Sequence, residues 1–218
     1  MRLGFRGTER RGNGMVTKIK KPIVVQGDDD RSKLGLVHIY TGDGKGKTTA
    51  ALGLASRALG NGYRVYMIQF LKSGFTGEIK SAESFKKDFT IEQYGADAVQ
   101  NREEIMQNLR EQKAKFVFQP DEMEIEAARL AYEKALEILK SKEYELVILD
   151  EINCALDKGL LSMEDAGMLL QMHDNVELVF TGRDAPEELF QHADYVSVIQ
   201  KVKHPWQRGI KARKGIEY

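Results

Sequence analysis

"LVHIYTGDGKGKTTAALGLASRALGNGYRVYMIQF" (residues 36–70) sets a β-branched and aromatic run, a glycine-rich turn, a helical stretch and a second apolar run in sequence. Strand, turn and helix in this order are the context that a phosphate-binding loop requires. The usual form is G-x-x-x-x-G-K-[ST]. Counting back from Gly46-Lys47-Thr48 puts Thr41, not glycine, in the first position. Gly42, Gly44 and Gly46 let the backbone turn tightly enough for consecutive N–H groups to converge on one anion. The helix opening at Lys47 adds its partial positive charge. Lys47 has the reach to meet a phosphate chain, and the Thr48 hydroxyl is placed to ligate Mg²⁺.

Outward from the loop, strand and helix patterns alternate. The expected helix over 47–59 is stopped by Gly60-Asn61-Gly62, residues that tolerate a left-handed cap. Strands are expected at 36–40, 64–70, 89–94, 145–151, 176–182 and 194–202, and a loop with Lys72, Gly74 and Gly77 follows the second. Residues 121–142 read as a long amphipathic helix, with Ile125, Ala128, Tyr132, Ala135, Leu136 and Leu139 at helical spacing. Residues 162–173 read as another helix, and 185–193 as a short one with Pro186 in its first turn. Strands separated by helices indicate an α/β fold with a mostly parallel sheet and helices on both faces.

Open parallel sheets gather their ligands at the C-terminal ends of the strands. "LVILDE" ends in Asp150 and Glu151, and either acid suits a magnesium ion held opposite Thr48. Such a pair also occurs as solvated strand-end charge. "FTGRDAP" places Arg183 on the same edge, where a guanidinium suits a phosphate chain or caps a helix. Gln69 and Lys72 end the second strand there as well.

Composition narrows the partners. Lys and Arg number 33, as do Asp and Glu, so the net charge is zero, unlike the basic excess of a general nucleic-acid binder. Lys203, His204, Trp206, Arg208, Lys211 and Arg213 still make a basic and aromatic cluster near the end of the sequence. The one cysteine, Cys154, excludes an internal disulfide framework and fits a reducing cytoplasm. No apolar run is long enough to cross a membrane, and no secretory leader follows the basic N-terminus. Residues 1–33 read as a flexible segment, with Met15 as an alternative start, and residues 34–218 as the domain.

"YTGDGKGKTTAALGLASRALGNGYRVYMIQFLKS", "LVILDEINCALDKGLL", "VFTGRDAPEELFQHADYVSVI" and "KHPWQRGIKARKGIEY" follow one another in this order. Together they resemble the P-loop family of ATP:corrinoid adenosyltransferases, whose loop normally reads T-G-x-G-K-G-K-T-T, so Thr41 fits that pattern. The resemblance implies a RecA-like P-loop fold, a homodimer, and transfer of the 5′-deoxyadenosyl group of ATP to the Co(I) of a corrinoid with triphosphate released. It implies that residues 41–49 (Thr41, Gly42, Asp43, Gly44, Lys45, Gly46, Lys47, Thr48 and Thr49) bind ATP, with its phosphate chain reversed relative to typical P-loop enzymes. Lys45, Lys47 and Arg183 are then the catalytic cations, and Mg²⁺ (or Mn²⁺) lies between Thr48 and Glu151 or Asp150. An electron donor such as a reduced flavoprotein supplies Co(I). The bacterial family carries a Phe-x-Trp segment against the corrinoid. Here the nearest match is "KFVFQP", with Phe116 and Phe118 but no Trp. The competing reading is a P-loop hydrolase or kinase acting on the γ-phosphate, and a third is a nucleotide-dependent binding module.

Overall fold

Strand β1 (Val37–Thr41) runs into the glycine-rich turn and helix α1 (Lys47–Gly60). Next come β2 (Val65–Phe70), α2 (Gly77–Glu83), β3 (Phe89–Tyr94), α3 (Pro120–Ser141) and β4 (Leu146–Asp150). The short α4 (Ile152–Asp157), α5 (Met163–Met172), β5 (Glu177–Thr181) and β6 (Tyr195–Val198) complete the order. The computed structural model describes residues 30–74, 76–95 and 120–218. Residues Ser32–Tyr218 form one unit.

All the strands are parallel, in the order β3-β2-β4-β5-β1-β6. A parallel sheet is covered on both faces, so its central strands read as continuous apolar runs. Strand alternation divides them between two cores. Tyr66, Ile68, Phe70, Val147, Leu149, Leu178 and Phe180 pack beneath α3, α4 and α5. Val65, Met67, Leu146, Ile148 and Val179 pack beneath α1 and Ala82 of α2. On α3 the face against the sheet is small: Ala127, Ala128, Ala131 and Ala135 are wholly buried. Alanine lets helix and sheet approach closely, and that preference turns Ile125 outward, 47% exposed, against the expectation that it belongs to the apolar face.

Most element bounds fall where the sequence places them, and the exceptions have physical reasons. The last strand stops at Val198, not 202, because Ile199 turns its carbonyl to the Gly44 N–H (2.7 Å). The fourth strand stops at Asp150 because Glu151 takes a left-handed φ of 64° and opens α4, an unexpected helix. The segment after Pro186 is a 3₁₀ helix, Glu187–His192, with Pro186 outside it as the cap. The expected loop around Gly77 contains α2. The end of α1 matches its signal, Gly62 (φ 72°) donating to the Leu59 carbonyl, and α5 opens on a reciprocal capping box between Ser162 and Asp165. No helix among the described residues is long and apolar enough to cross a membrane.

Candidate active site

The loop between β1 and α1 owes its shape to a second segment. Residues after β6 cross over it. A Cβ on Gly42 would stand 2.5 Å from the Ile199 carbonyl oxygen, and one on Gly44 would stand 2.7 Å from the same atom. Glycine is required at both positions by this close approach. Gly46 has open space around it and is required instead by its φ of 129°. Asp43 Oδ1 accepts from the Lys201 N–H at 2.9 Å, which holds the crossing segment in place. Thr41 is buried, and its Oγ1 accepts from the Ala185 N–H at 3.2 Å. The hydroxyl therefore ties β1 to the turn after β5, which gives threonine a reason to stand where other phosphate loops carry glycine.

Lys47 folds back across the loop, donating from Nζ to the Gly42 carbonyl (2.7 Å) and the Gly44 carbonyl (2.9 Å). Burial holds its ammonium below the ordinary lysine value, with nearby Arg183 adding to the effect and the Glu151 carboxylate opposing it. An anion entering the loop would relieve the burial penalty and take over the ammonium. Lys45 and Arg183 are exposed, and their charged ends make no hydrogen bond among the described residues.

Asp150 is wholly buried at the end of β4 and is the hub of the site. Its Oδ1 accepts from Thr48 Oγ1 (2.8 Å) and Thr181 Oγ1 (2.5 Å). Its Oδ2 accepts from Gln69 Nε2 (3.0 Å) and pairs with Lys72 Nζ (2.5 Å). Gln69 is itself fixed, because Gln93 Nε2 donates to its Oε1 at 2.9 Å and Glu78 accepts from its Nε2 at 3.2 Å. Glu151 holds its own N–H on Thr181 Oγ1 (3.1 Å) and accepts from Cys154 Sγ (3.0 Å). Asn153 donates to the carbonyls of Gly182 (3.3 Å) and Tyr40 (3.4 Å), so it joins the ends of β5 and β1.

These parts border a cleft of ≈ 1030 Å³. Asp43, Gly44, Lys45, Gly46, Lys47, Thr48, Thr49, Glu151 and Arg183 stand on its wall, together with Lys72. Thr41, Gly42 and Asp150 stand behind it. Leu52, Leu59, Phe85 and Phe89 make its apolar side, and Gly215, Ile216, Glu217 and Tyr218 close another. Phe116 and Phe118 lie outside the described residues. His204 is on the wall but holds the Trp206 N–H on its Nδ1 (3.2 Å), as a cap. The network of Thr181, Gln93, Glu78 and Asn153 was not singled out from sequence. Thr181 is the one with a readable signal, as the last residue of an apolar strand before Gly-Arg.

No group of three or more His, Cys, Asp or Glu among the described residues is placed to hold a metal by itself. The oxygen donors at the site are one hydroxyl, Thr48, with the Asp150 carboxylate behind it and that of Glu151 beside it. That set fits Mg²⁺, which takes one or two protein oxygens and completes its shell with phosphate and water.

Residues 33–218 match the family described as ATP:corrinoid adenosyltransferase BtuR/CobO/CobP. The chain belongs to that family. Among curated relatives, the corrinoid adenosyltransferase of Pseudomonas aeruginosa is 32% identical over 197 residues, 89% of this chain and 88% of that one. The corrinoid adenosyltransferase of Escherichia coli K12 is 31% identical over 198 residues, covering 89% and 90%. The corrinoid adenosyltransferase CobA of Salmonella typhimurium is 29% identical over the same share of each chain. The chain is therefore a transferase, and ATP and a corrinoid as substrates fit its family.

Proposed function

We propose that the chain moves the 5′-deoxyadenosyl group of ATP to the Co(I) of a corrinoid, either cobalamin or cobyrinic acid a,c-diamide, and releases triphosphate whole. An electron pair of Co(I) forms the cobalt–carbon bond to the 5′-carbon. The carbon–oxygen bond breaks, and its electron pair leaves on the triphosphate. The observation that carries this reading is the cluster of Lys45, Lys47 and Arg183 on one cleft wall with the loop N–H groups. These cations stand within reach of charge that grows on a leaving triphosphate, Lys47 once it turns from the Gly42 and Gly44 carbonyls, a kind of stabilisation often worth several kcal/mol. Co(I) is already a strong nucleophile, so this chemistry needs no general base. Alignment of the two substrates in the cleft supplies much of the remaining acceleration.

Thr48 would hold Mg²⁺ (or Mn²⁺), with Asp150 behind the hydroxyl and Glu151 beside it. The metal would neutralise charge on the phosphate oxygens. Thr41 and Gly42 shape the loop, and Asp43, Gly44, Gly46 and Thr49 line the path of the phosphates. Phe116 and Phe118 are assigned to the corrinoid side. The working form is a cytoplasmic homodimer fed by a reduced flavoprotein, with no nucleic-acid or membrane partner. Residues 34–218 carry the proposed activity as one domain.

The test mixes protein, Mg-ATP and chemically reduced corrinoid, follows the corrinoid spectrum and identifies the phosphate product. Light-sensitive adenosylated corrinoid with stoichiometric triphosphate is expected. Orthophosphate or ADP without a spectral change overturns the reading in favour of a hydrolase or kinase.

A further inference from the structure

Lys72 bridges two oxygens that a metal would need. Its Nζ lies 2.5 Å from Asp150 Oδ2 and 3.5 Å from Thr48 Oγ1. With Thr48, Thr181 and Gln69 on the same carboxylate, both oxygens of Asp150 are already doubly engaged. A carboxylate offers about four lone-pair positions, so a newcomer must displace one donor. The four donors are not equally displaceable. Gln69 and Thr181 are wholly buried, and Gln69 is gripped from both ends of its amide. The Lys72 side chain is 27% exposed, stands on the cleft wall and ends in a flexible four-carbon stem.

The backbone beneath it does not share this freedom. Leu71 takes a φ of 57°, a left-handed conformation costly for a branched side chain, and its N–H is tied to the Tyr94 carbonyl at 3.0 Å. Gly95 packs so closely that a Cβ there would stand 2.7 Å from the Lys72 carbonyl oxygen. Root and target are both fixed, and only the stem between them turns.

We propose that Lys72 is a charge-exchange positioning residue: its ammonium occupies the cation place between Thr48 and Asp150, and moves onto the phosphate chain when a divalent cation takes that place. The phosphate half of the proposal rests on the adenosyl-transfer reading, whereas the occupancy of the cation place does not. The consequence is an order of binding. A metal ion arriving alone must push the ammonium into a cleft already holding Lys45, Lys47 and Arg183, where it meets the wall carboxylates Asp43, Glu78, Glu151 and Glu217 but no phosphate chain. A metal ion arriving with ATP brings the receiving anion. Metal and nucleotide therefore assist each other's binding, and the coupling is reciprocal.

The test titrates Mn²⁺ into the full-length protein without ATP and without corrinoid, reading free Mn²⁺ by its electron paramagnetic resonance signal. Wild type should bind weakly. Lys72→Met should bind about tenfold more tightly, a modest effect for a unit charge removed from the site, and Lys72→Arg should return towards wild type. Repeating the titration with saturating ATP should show a smaller gain from nucleotide in Lys72→Met than in wild type. Lys72→Gln, which keeps a donor for Asp150 but not the charge, serves if the methionine variant misfolds, and should also bind more tightly. Unchanged or weaker Mn²⁺ binding by the uncharged variants in the absence of ATP overturns the proposal. Should ATP be hydrolysed to orthophosphate in these mixtures, the adenosyl-transfer reading fails, and the ATP-free titration still decides the role of Lys72.

Discussion

Cys154 sits 3.0 Å from the carboxylate of Glu151, which stands on the cleft wall. Burial pushes its thiol up to about 12, helped by the hydrogen bond to Glu151 and the negative charge there. At pH 8 only about one molecule in ten thousand then carries a thiolate, the form that reacts. Iodoacetamide should alkylate the folded protein at least about a hundredfold more slowly than the urea-unfolded chain at that pH. Glu151→Gln should hasten the reaction, since removing the carboxylate charge lowers the thiol's pKa. Mass-spectrometric time courses check both, and a wild-type rate equal to that of the unfolded chain would remove the Glu151 effect. Thr181 shows the same economy of contacts without a charge. One hydroxyl donates to Asp150 and accepts from the Glu151 N–H, so a single side chain sets the positions of both acids.

At the scale of elements, the loop and the segment after β6 form one object. Gly44→Ala would drive a Cβ into the backbone of Ile199 and Gln200, at 2.7 and 2.8 Å. Gly53→Ala, in mid-helix α1, meets nothing within 4 Å. The first change should weaken ATP binding at least about tenfold and lower the thermal midpoint by several degrees, in line with over-packing costs of about 1–3 kcal/mol. The second should be neutral or slightly stabilising, since alanine favours helix over glycine. Calorimetric titration with ATP separates them, and equal behaviour of the two variants would refute the crossing contact. The loop, the apolar strands and α1 were legible in sequence because glycine, β-branching and capping residues speak locally. The fate of Gly42 and Gly44 was legible only as permissiveness. That they must be glycine because Ile199 lies on them depends on a contact across more than 150 positions. Asp150 and Glu151 were legible as a pair, but their division of labour was not. Asp150 faces inward to four donors, and Glu151 turns to the cleft through a left-handed φ of 64° that no propensity announces. Ile125 misled because spacing alone cannot tell which of two adjacent stripes faces a sheet, and the alanine stripe packs closer.

Taken whole, the sheet carries the cleft at one end and an acidic anchor at the other. Glu177 accepts from the Gly35 and Leu36 N–H groups, both at 3.0 Å, and pairs with His38 Nε2 at 2.6 Å, under the stacked ring of Tyr195. Burial alone would raise its pKa, but the bonds from His38, Leu36 and Gly35 outweigh it and hold the carboxyl below its ordinary 4.5. With the folded value below the unfolded one, its contribution to stability is complete above the unfolded value and fades as pH falls through the folded one. The stability margin of wild type over Glu177→Gln, from urea titrations, should therefore be constant from about pH 7 to 6 and shrink below about pH 4.5. A margin that grows on acidification would reverse the sign and refute the assignment. The crossing of Lys201 over Asp43, a contact 158 residues apart in the chain, also has a consequence in time. A ribosome adds about 5–20 residues each second, so roughly 8 to 32 s separate synthesis of the loop from synthesis of the strap that shapes it. Until then the nascent "GDGKGKTT" stretch lacks the Ile199 and Lys201 contacts that shape the finished loop.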